Sequence, residues 1–231
     1  MRTTTALAAA GAALAASVAF SGPSSKVAWT VETVKLVRSG DVAHGRKLNG
    51  DCAGCHGDAG TTDTPDVPNL AGQDALYLFK QLADYKEGTR ASPIMGEAVK
   101  PLSEKDMADL AAFYASLAPA PAAAGLPAGA AAVLPLTRVG DGARLMPACD
   151  ACHGTRGAGD AGSYGMPKLS GQKLDDMATQ LTTFRSGERA NDVYGVMRTV
   201  CRHLTDAEIA GLAAYYSGKA GTPPPTPAPA K

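Results

Sequence analysis

The stretch Cys52-Ala53-Gly54-Cys55-His56 returns 97 residues later as Cys149-Asp150-Ala151-Cys152-His153, and the reading of this pair decides the fold. In each copy the second thiol lies three residues after the first and the imidazole four, so one turn of helix presents all three groups on neighbouring faces. The repeat extends outward from there. Gly45 and Leu48 match Gly142 and Leu145 at the same offset of 97, Pro68-Asn69-Leu70-Ala71-Gly72-Gln73 matches Pro167-Lys168-Leu169-Ser170-Gly171-Gln172 at 99, Gln81-Leu82 matches Gln180-Leu181 at 99, and Met95 and Leu102 match Met197 and Leu204 at 102. The offset grows by 2 and then by 3, as small insertions in Gly-rich or polar loops produce. The chain reads as a duplicated domain.

Each copy carries helical periodicity. Asp74 to Lys86 sets Leu78, Leu82 and Tyr85 on one face, and Leu174 to Arg185 does the same with Met177, Leu181 and Phe184. Ser103 with Asp106, and Thr205 with Glu208, open capped helices over Met107 to Leu117 and Ile209 to Tyr216. A shorter helix is expected from Asp41 to Leu48. No segment alternates as a strand, so the fold class is all-α. The expected organisation is a first domain over 34–117, an Ala/Pro/Gly-rich linker over 118–137, a second domain over 138–218 and a Pro-rich tail over 219–231.

The start of the chain has a short positive end at Arg2, an uncharged Ala-rich run from Ala6 to Phe20, and small residues at Ser17 and Ala19. This reads as a secretory signal over 1–19, too short to span a bilayer comfortably, which places the mature protein in the periplasm. Lys+Arg 22 against Asp+Glu 22 leaves no net charge, so nothing resembles the basic footprint of a nucleic-acid binder.

Five cysteines are too few for a disulfide framework, and four of them belong to the two C-x-x-C-H groups. A zinc ribbon brings its two C-x-x-C pairs within about 15–20 residues, whereas 93 residues separate Cys55 from Cys149. A thioredoxin-like pair needs a βαβ setting that is absent, and structural disulfides give no reason for a histidine directly after the second cysteine. The spacing suits covalent attachment of a haem through two thioether bonds, with the following imidazole reaching the iron. Two covalent haem c groups would use Cys52, Cys55 and His56, and Cys149, Cys152 and His153. They also answer a shortage, since the chain has only twelve aromatic side chains (Phe 4, Trp 1, Tyr 7) to fill two cores.

With Met146-Pro147-Ala148-Cys149 through His153, Pro167 to Gln172, Gln180-Leu181, Phe184-Arg185 and Met197-Arg198 before the last helix, the chain resembles the dihaem class I cytochromes c, and most closely the cytochrome c4 family, over about residues 38–218. The resemblance implies two tandem class I cytochrome c domains. It implies that each iron takes a methionine as its second axial ligand, Met95 and Met197. Both methionines lie in loop-like stretches ahead of a capped helix, whereas Met107 and Met177 sit at core spacing. The resemblance further implies that the Pro68 and Pro167 carbonyls accept from the haem histidines, and that Gly45 and Gly142 let the first and last helices cross beside Phe113, Tyr114, Tyr215 and Tyr216. Arg90 and Arg189 read as surface arginines, with pairing to haem propionates the alternative. His44 and His203 read as solvated, and Cys201, aligned with Val99, as a small buried side chain.

With both axial positions filled, neither iron offers a site for substrate, which implies an electron carrier rather than an enzyme. Its implied partners are redox proteins: a donor dehydrogenase, a terminal oxidase or reductase, with peripheral association with membrane complexes and no nucleic acid. Two rivals remain: the cytochrome subunit of a flavocytochrome-type sulfide dehydrogenase, and a dihaem enzyme such as thiosulfate dehydrogenase.

Overall fold

The computed structural model describes residues 25, 27, 29–121, 125–127, 129–159 and 165–219. The stretch 1–19 read as a signal, and the tail beyond Lys219, lie outside the described residues. The first half folds into α1 (Val31–Arg38), α2 (Val42–Leu48), α3 (Gly50–His56), α4 (Ala75–Glu87), α5 (Pro93–Val99) and α6 (Glu104–Ser116). The second folds into α7 (Leu134–Arg138), α8 (Cys149–His153), α9 (Leu174–Ser186), α10 (Val196–Cys201) and α11 (Asp206–Ser217). Among the described residues no strand forms beyond an isolated bridge between Asp141 and Met146.

The four long helices fall where the periodicity puts them. Reciprocal capping boxes start α6 at Ser103 and Asp106 and α11 at Thr205 and Glu208, each satisfying two backbone donors that would otherwise lack partners. Gly88 and Gly187 end α4 and α9 in the left-handed conformation. Two separate cores result. Leu76, Leu78, Phe79, Met107, Leu110 and Phe113 fill the first, and Met146, Met177, Phe184, Leu204, Ile209 and Leu212 fill the second. Each buried side chain of this size contributes about 1.5–3 kcal/mol.

Ordered packing is present ahead of residue 34. α1 starts at Val31, and Val27 and Trp29 pack on the first core. Within the stretch 118–137, Ala130–Val133 forms a 3₁₀ turn that runs into α7. Ala130, Val133 and Leu136 recur every three residues and are all buried against the second core. The Ala/Pro/Gly composition of the stretch conceals this short apolar face.

The helix crossings of the two domains differ, and here the expected equivalence of Gly45 and Gly142 is corrected. In the first domain α2 lies across α6 at Gly45, where a Cβ would collide with the Asp109 carbonyl and the Phe113 side chain. Gly142 starts a 3₁₀ turn and faces open space. Counting from the Gly40-Asp41 and Gly140-Asp141 pairs, ten residues precede Cys52 but only seven precede Cys149. The second copy has no room for a counterpart of α2. Its close approach is made instead from the other side, by Gly211 of α11 against Val133.

His44 is a second correction, for it is bound rather than merely solvated. Its Nδ1 lies 2.8 Å from Asp109 Oδ2, a fully buried carboxylate that also accepts from Lys105 Nζ at 2.6 Å and the Asp41 N–H at 2.6 Å. His203 is exposed as expected. Cys201 and Val99 are both buried, and burial pushes the Cys201 thiol up to about 12.

Two outcomes follow from this packing. Gly45→Val should destabilise the first domain by about 1–3 kcal/mol or more through backbone collision, whereas Gly142→Ala should stay within about 0.5 kcal/mol of the parent; thermal unfolding of both variants distinguishes them. Cys201 should resist iodoacetamide in the native haem-loaded chain at about pH 8 and react once the chain is unfolded, which mass spectrometry of the alkylated protein reads directly.

Candidate functional site

Helices α3 and α8 present the paired cysteines and histidines in the same way. None of the five cysteines is in a disulfide, and burial pushes the Cys52 and Cys149 thiols up, so both stay protonated near neutrality. His56 and His153 are buried. His56 Nδ1 lies 2.9 Å from the Pro68 carbonyl and His153 Nδ1 lies 2.8 Å from the Pro167 carbonyl. A carbonyl only accepts, so Nδ1 carries the proton in both rings and Nε2 keeps its lone pair. Burial holds both imidazoles below the usual histidine range, with the carbonyl bond opposing it. Each ring is therefore a neutral donor with one free nitrogen.

The proline carbonyls are themselves held in place. Leu70 and Ala71 donate their N–H groups to the Gly60 carbonyl at 2.8 and 3.0 Å, and Leu169 and Ser170 do the same to Gly157 at 2.8 and 3.0 Å. Gly72 then donates to the Tyr114 carbonyl at 2.8 Å and Gly171 to the Tyr216 carbonyl at 3.0 Å, tying each proline loop to the last helix of its domain.

Met95 and Met197 are half-buried, but they sit in the short helices α5 and α10 rather than in loops. Ser92 caps α5 by accepting from the Met95 N–H at 3.2 Å, with Pro93 opening the helix. Two turn-favouring residues side by side read as loop in the sequence, yet they are also a helix start. α5 packs on α4 and α10 on α9, so each methionine's short helix rests on the long helix that precedes it in its own domain.

Among the described residues no three His, Cys, Asp or Glu side chains converge as a bare-metal site. Each C-x-x-C-H turn instead offers two free thiols and a buried imidazole with a free Nε2, and Met95 or Met197 lies half-buried in the same domain. That donor set suits a group that brings most of its own metal ligands, and it fits an iron porphyrin attached through the thiols.

The two sites face a shared polar interface that the sequence reading did not foresee. Gln172 accepts from the Asn69 N–H at 3.0 Å and donates to the Asn69 carbonyl at 2.7 Å. Across the pseudo-twofold, Gln73 accepts from the Lys168 N–H at 2.7 Å and donates to the Lys168 carbonyl at 2.9 Å. Asn69 Nδ2 reaches the Gly171 carbonyl at 2.9 Å, and Lys168 Nζ the Gly72 carbonyl at 2.6 Å. The repetition of P-x-L-x-G-Q in both copies was the available signal.

Arg90 and Arg189 belong to this interface and are not surface arginines. They stack on Tyr85 and Phe184 at 4.6 and 4.4 Å and cross between domains: Arg90 donates to Gln81 at 2.9 Å and Gln180 at 3.1 Å, and Arg189 donates to both glutamines as well. Among the described residues neither guanidinium meets a carboxylate within 4.0 Å. Beside them lies an asymmetric cluster. A buried Lys80–Asp84 pair is joined by Asn191, whose carbonyl accepts from Lys80 Nζ at 2.6 Å and whose Nδ2 donates to Asp84 at 2.6 Å, and by Ser25, which donates to Asp84 at 2.6 Å.

Comparison with known proteins agrees with this geometry. The cytochrome c family model matches twice, over residues 42–118 and 139–217. Cytochrome c4 of Azotobacter vinelandii is 38% identical over 190 residues, covering 78% of this chain and 90% of that protein. A protein of Stutzerimonas stutzeri named thiosulfate dehydrogenase electron acceptor is 38% identical over 176 residues, covering 72% of this chain and 77% of its own length. The crystal structure of reduced recombinant cytochrome c4 from Pseudomonas stutzeri superposes with a TM-score of 0.73 at 37% identity, covering 78% of this chain and 99% of that one. The chain therefore belongs to the cytochrome c family, in its cytochrome c4 group of electron carriers with two covalently bound c-type haems.

Proposed function

We propose that the chain works in the periplasm as a single-electron carrier whose two irons are each held by a histidine and a methionine, His56 with Met95 and His153 with Met197. The observation that carries the reading is the mirrored pair of buried imidazoles, each fixed through Nδ1 by a proline carbonyl and left with one free nitrogen. Cys52 and Cys55, and Cys149 and Cys152, would hold the porphyrin edges. Bound in this way, the group supplies reversible Fe(III)/Fe(II) cycling without bond making.

The protein's own contribution is orientation and exclusion. The proline loops keep the rings from rotating, which lowers the rearrangement that accompanies a change of iron charge. Thioether ligation favours the reduced state relative to an oxygen or nitrogen donor. Arg90 and Arg189 are two cations at one interface whose hydrogen-bond acceptors are neutral side-chain oxygens of Gln81, Gln180 and Asn191, and two porphyrin carboxylates would neutralise them. Export is supported by the Arg2-to-Ala19 stretch. Among the described residues no helix is long and apolar enough to cross a membrane.

A dehydrogenase as the electron donor is favoured by one relative, the protein named thiosulfate dehydrogenase electron acceptor. On this reading the present chain receives electrons from a separate catalytic protein.

Met95→Ala and Met197→Ala should each remove about half of the sulfur-to-iron charge-transfer absorption of the oxidised protein and lower one of its two potentials. A variant with unchanged spectrum and titration would show that another side chain is the ligand. The isolated chain should be reduced rapidly by small outer-sphere donors and should not turn over thiosulfate or peroxide; steady turnover by the chain alone would replace the carrier reading with an enzyme.

A further inference from the structure

Each buried histidine hydrogen-bonds to one side of a peptide unit whose other side is bonded to the opposite domain. The Pro68–Asn69 peptide accepts from His56 Nδ1 at its carbonyl, and its N–H, on Asn69, donates to Gln172 Oε1 at 3.0 Å. The Pro167–Lys168 peptide accepts from His153 Nδ1, and its N–H, on Lys168, donates to Gln73 Oε1 at 2.7 Å. Gln73 lies in the first domain and Gln172 in the second, so the two chains of hydrogen bonds cross. In each, the donors and acceptors alternate without a break from imidazole to foreign glutamine.

We propose that Gln172 and Gln73 are positioning residues that set the donor strength of the histidine in the opposite domain, making the docked interface a reciprocal control on the two haem potentials. The physical basis is polarisation along hydrogen-bonded chains. An N–H that donates to a glutamine oxygen draws density through the amide and leaves its carbonyl more negative, by roughly 10–30% in bond strength. A more negative carbonyl pulls harder on the Nδ1 proton and gives the ring more imidazolate character. A more anionic ligand stabilises the higher iron charge, so each glutamine lowers the potential across the interface. Gln73 is buried, where low dielectric preserves such an effect.

The same glutamines also return a donor to the Asn69 and Lys168 carbonyls at 2.7 and 2.9 Å. These second bonds lock the amide orientation, so each Oε1 is presented to the peptide N–H rather than rotated away.

The inference rests on the histidine ligation proposed above, and its test separates the two. In the full-length haem-loaded protein, a redox titration followed by NMR, with haem methyl signals assigned to each domain, reads both potentials. Gln172→Leu should raise the potential of the first domain by about two- to fivefold in its reduction equilibrium and leave the second unmoved; Gln73→Leu should do the reverse. In the reduced protein the Nδ1 proton of His56 should shift in Gln172→Leu while that of His153 does not. Asn69→Ala is the control, since it removes the cross-domain bond to Gly171 yet keeps the relay peptide, and it should reproduce neither crossed shift. The proposal is overturned if the glutamine variants move both potentials alike, move only their own domain's, or match Asn69→Ala. Loss of either variant to misfolding leaves the other to decide. A protein that carries haem but shows no Nδ1 proton signal from His56 or His153 overturns the ligation itself.

Discussion

A buried imidazole has two nitrogens, and only one of them can be left free for a metal. The hydrogen bonds from His56 and His153 to the Pro68 and Pro167 carbonyls settle which one, and much of the rest of the architecture serves to keep those carbonyls still. Each proline loop is pinned to a glycine carbonyl behind it and to the last helix below it. The last helix is in turn held by a capping box at its start and by a close crossing at a glycine. A defect anywhere along this series would reach the ligand as a misplaced carbonyl, at a site where a displacement of about 1 Å is costly.

The two domains reach the same site by different means. The first crosses α2 over α6 at Gly45; the second lacks α2 and brings Val133 against Gly211. What is common to both is the shorter list of parts nearest the histidine: the C-x-x-C-H turn, the proline loop and the tie to the last helix. Duplication preserved the parts that fix the ligand geometry and let the outer supports diverge, consistent with a site whose tolerance is tighter than that of its scaffold.

Much of this was legible in the sequence because its determinants are local. The C-x-x-C-H spacing, the capping pairs Ser103/Asp106 and Thr205/Glu208, and the periodicity of α4 and α9 are all set within one or two turns. Long-range packing hid the rest. The role of Gly211 depends on Val133, 78 residues away, and a three-residue shortening before Cys149 made Gly142 look like the counterpart of Gly45. Arg90 and Arg189 follow turn glycines and look like surface residues, yet each completes its bonding only with the other domain. Residues 130–137 look like linker because alanine, which fits a close helix contact, also fills flexible tails.

The asymmetric cluster of Lys80, Asp84 and Asn191 has a consequence for how the halves find each other. The first domain precedes the second in the chain and displays a nearly self-complementary face, with Gln81 and Arg90 matched to their own images. Two first domains could pair through that face as readily as a first with a second, were the symmetry complete. At the place of Asn191, however, a first domain offers Ser92, whose shorter side chain has no amide to give Asp84. The Lys80–Asp84 pair, buried in the correct pairing, would lose the amide that helps satisfy it. One residue type on one side of a pseudo-twofold thus makes the tethered partner preferable to a neighbour, and biases a duplicated protein toward closing on itself rather than linking into chains.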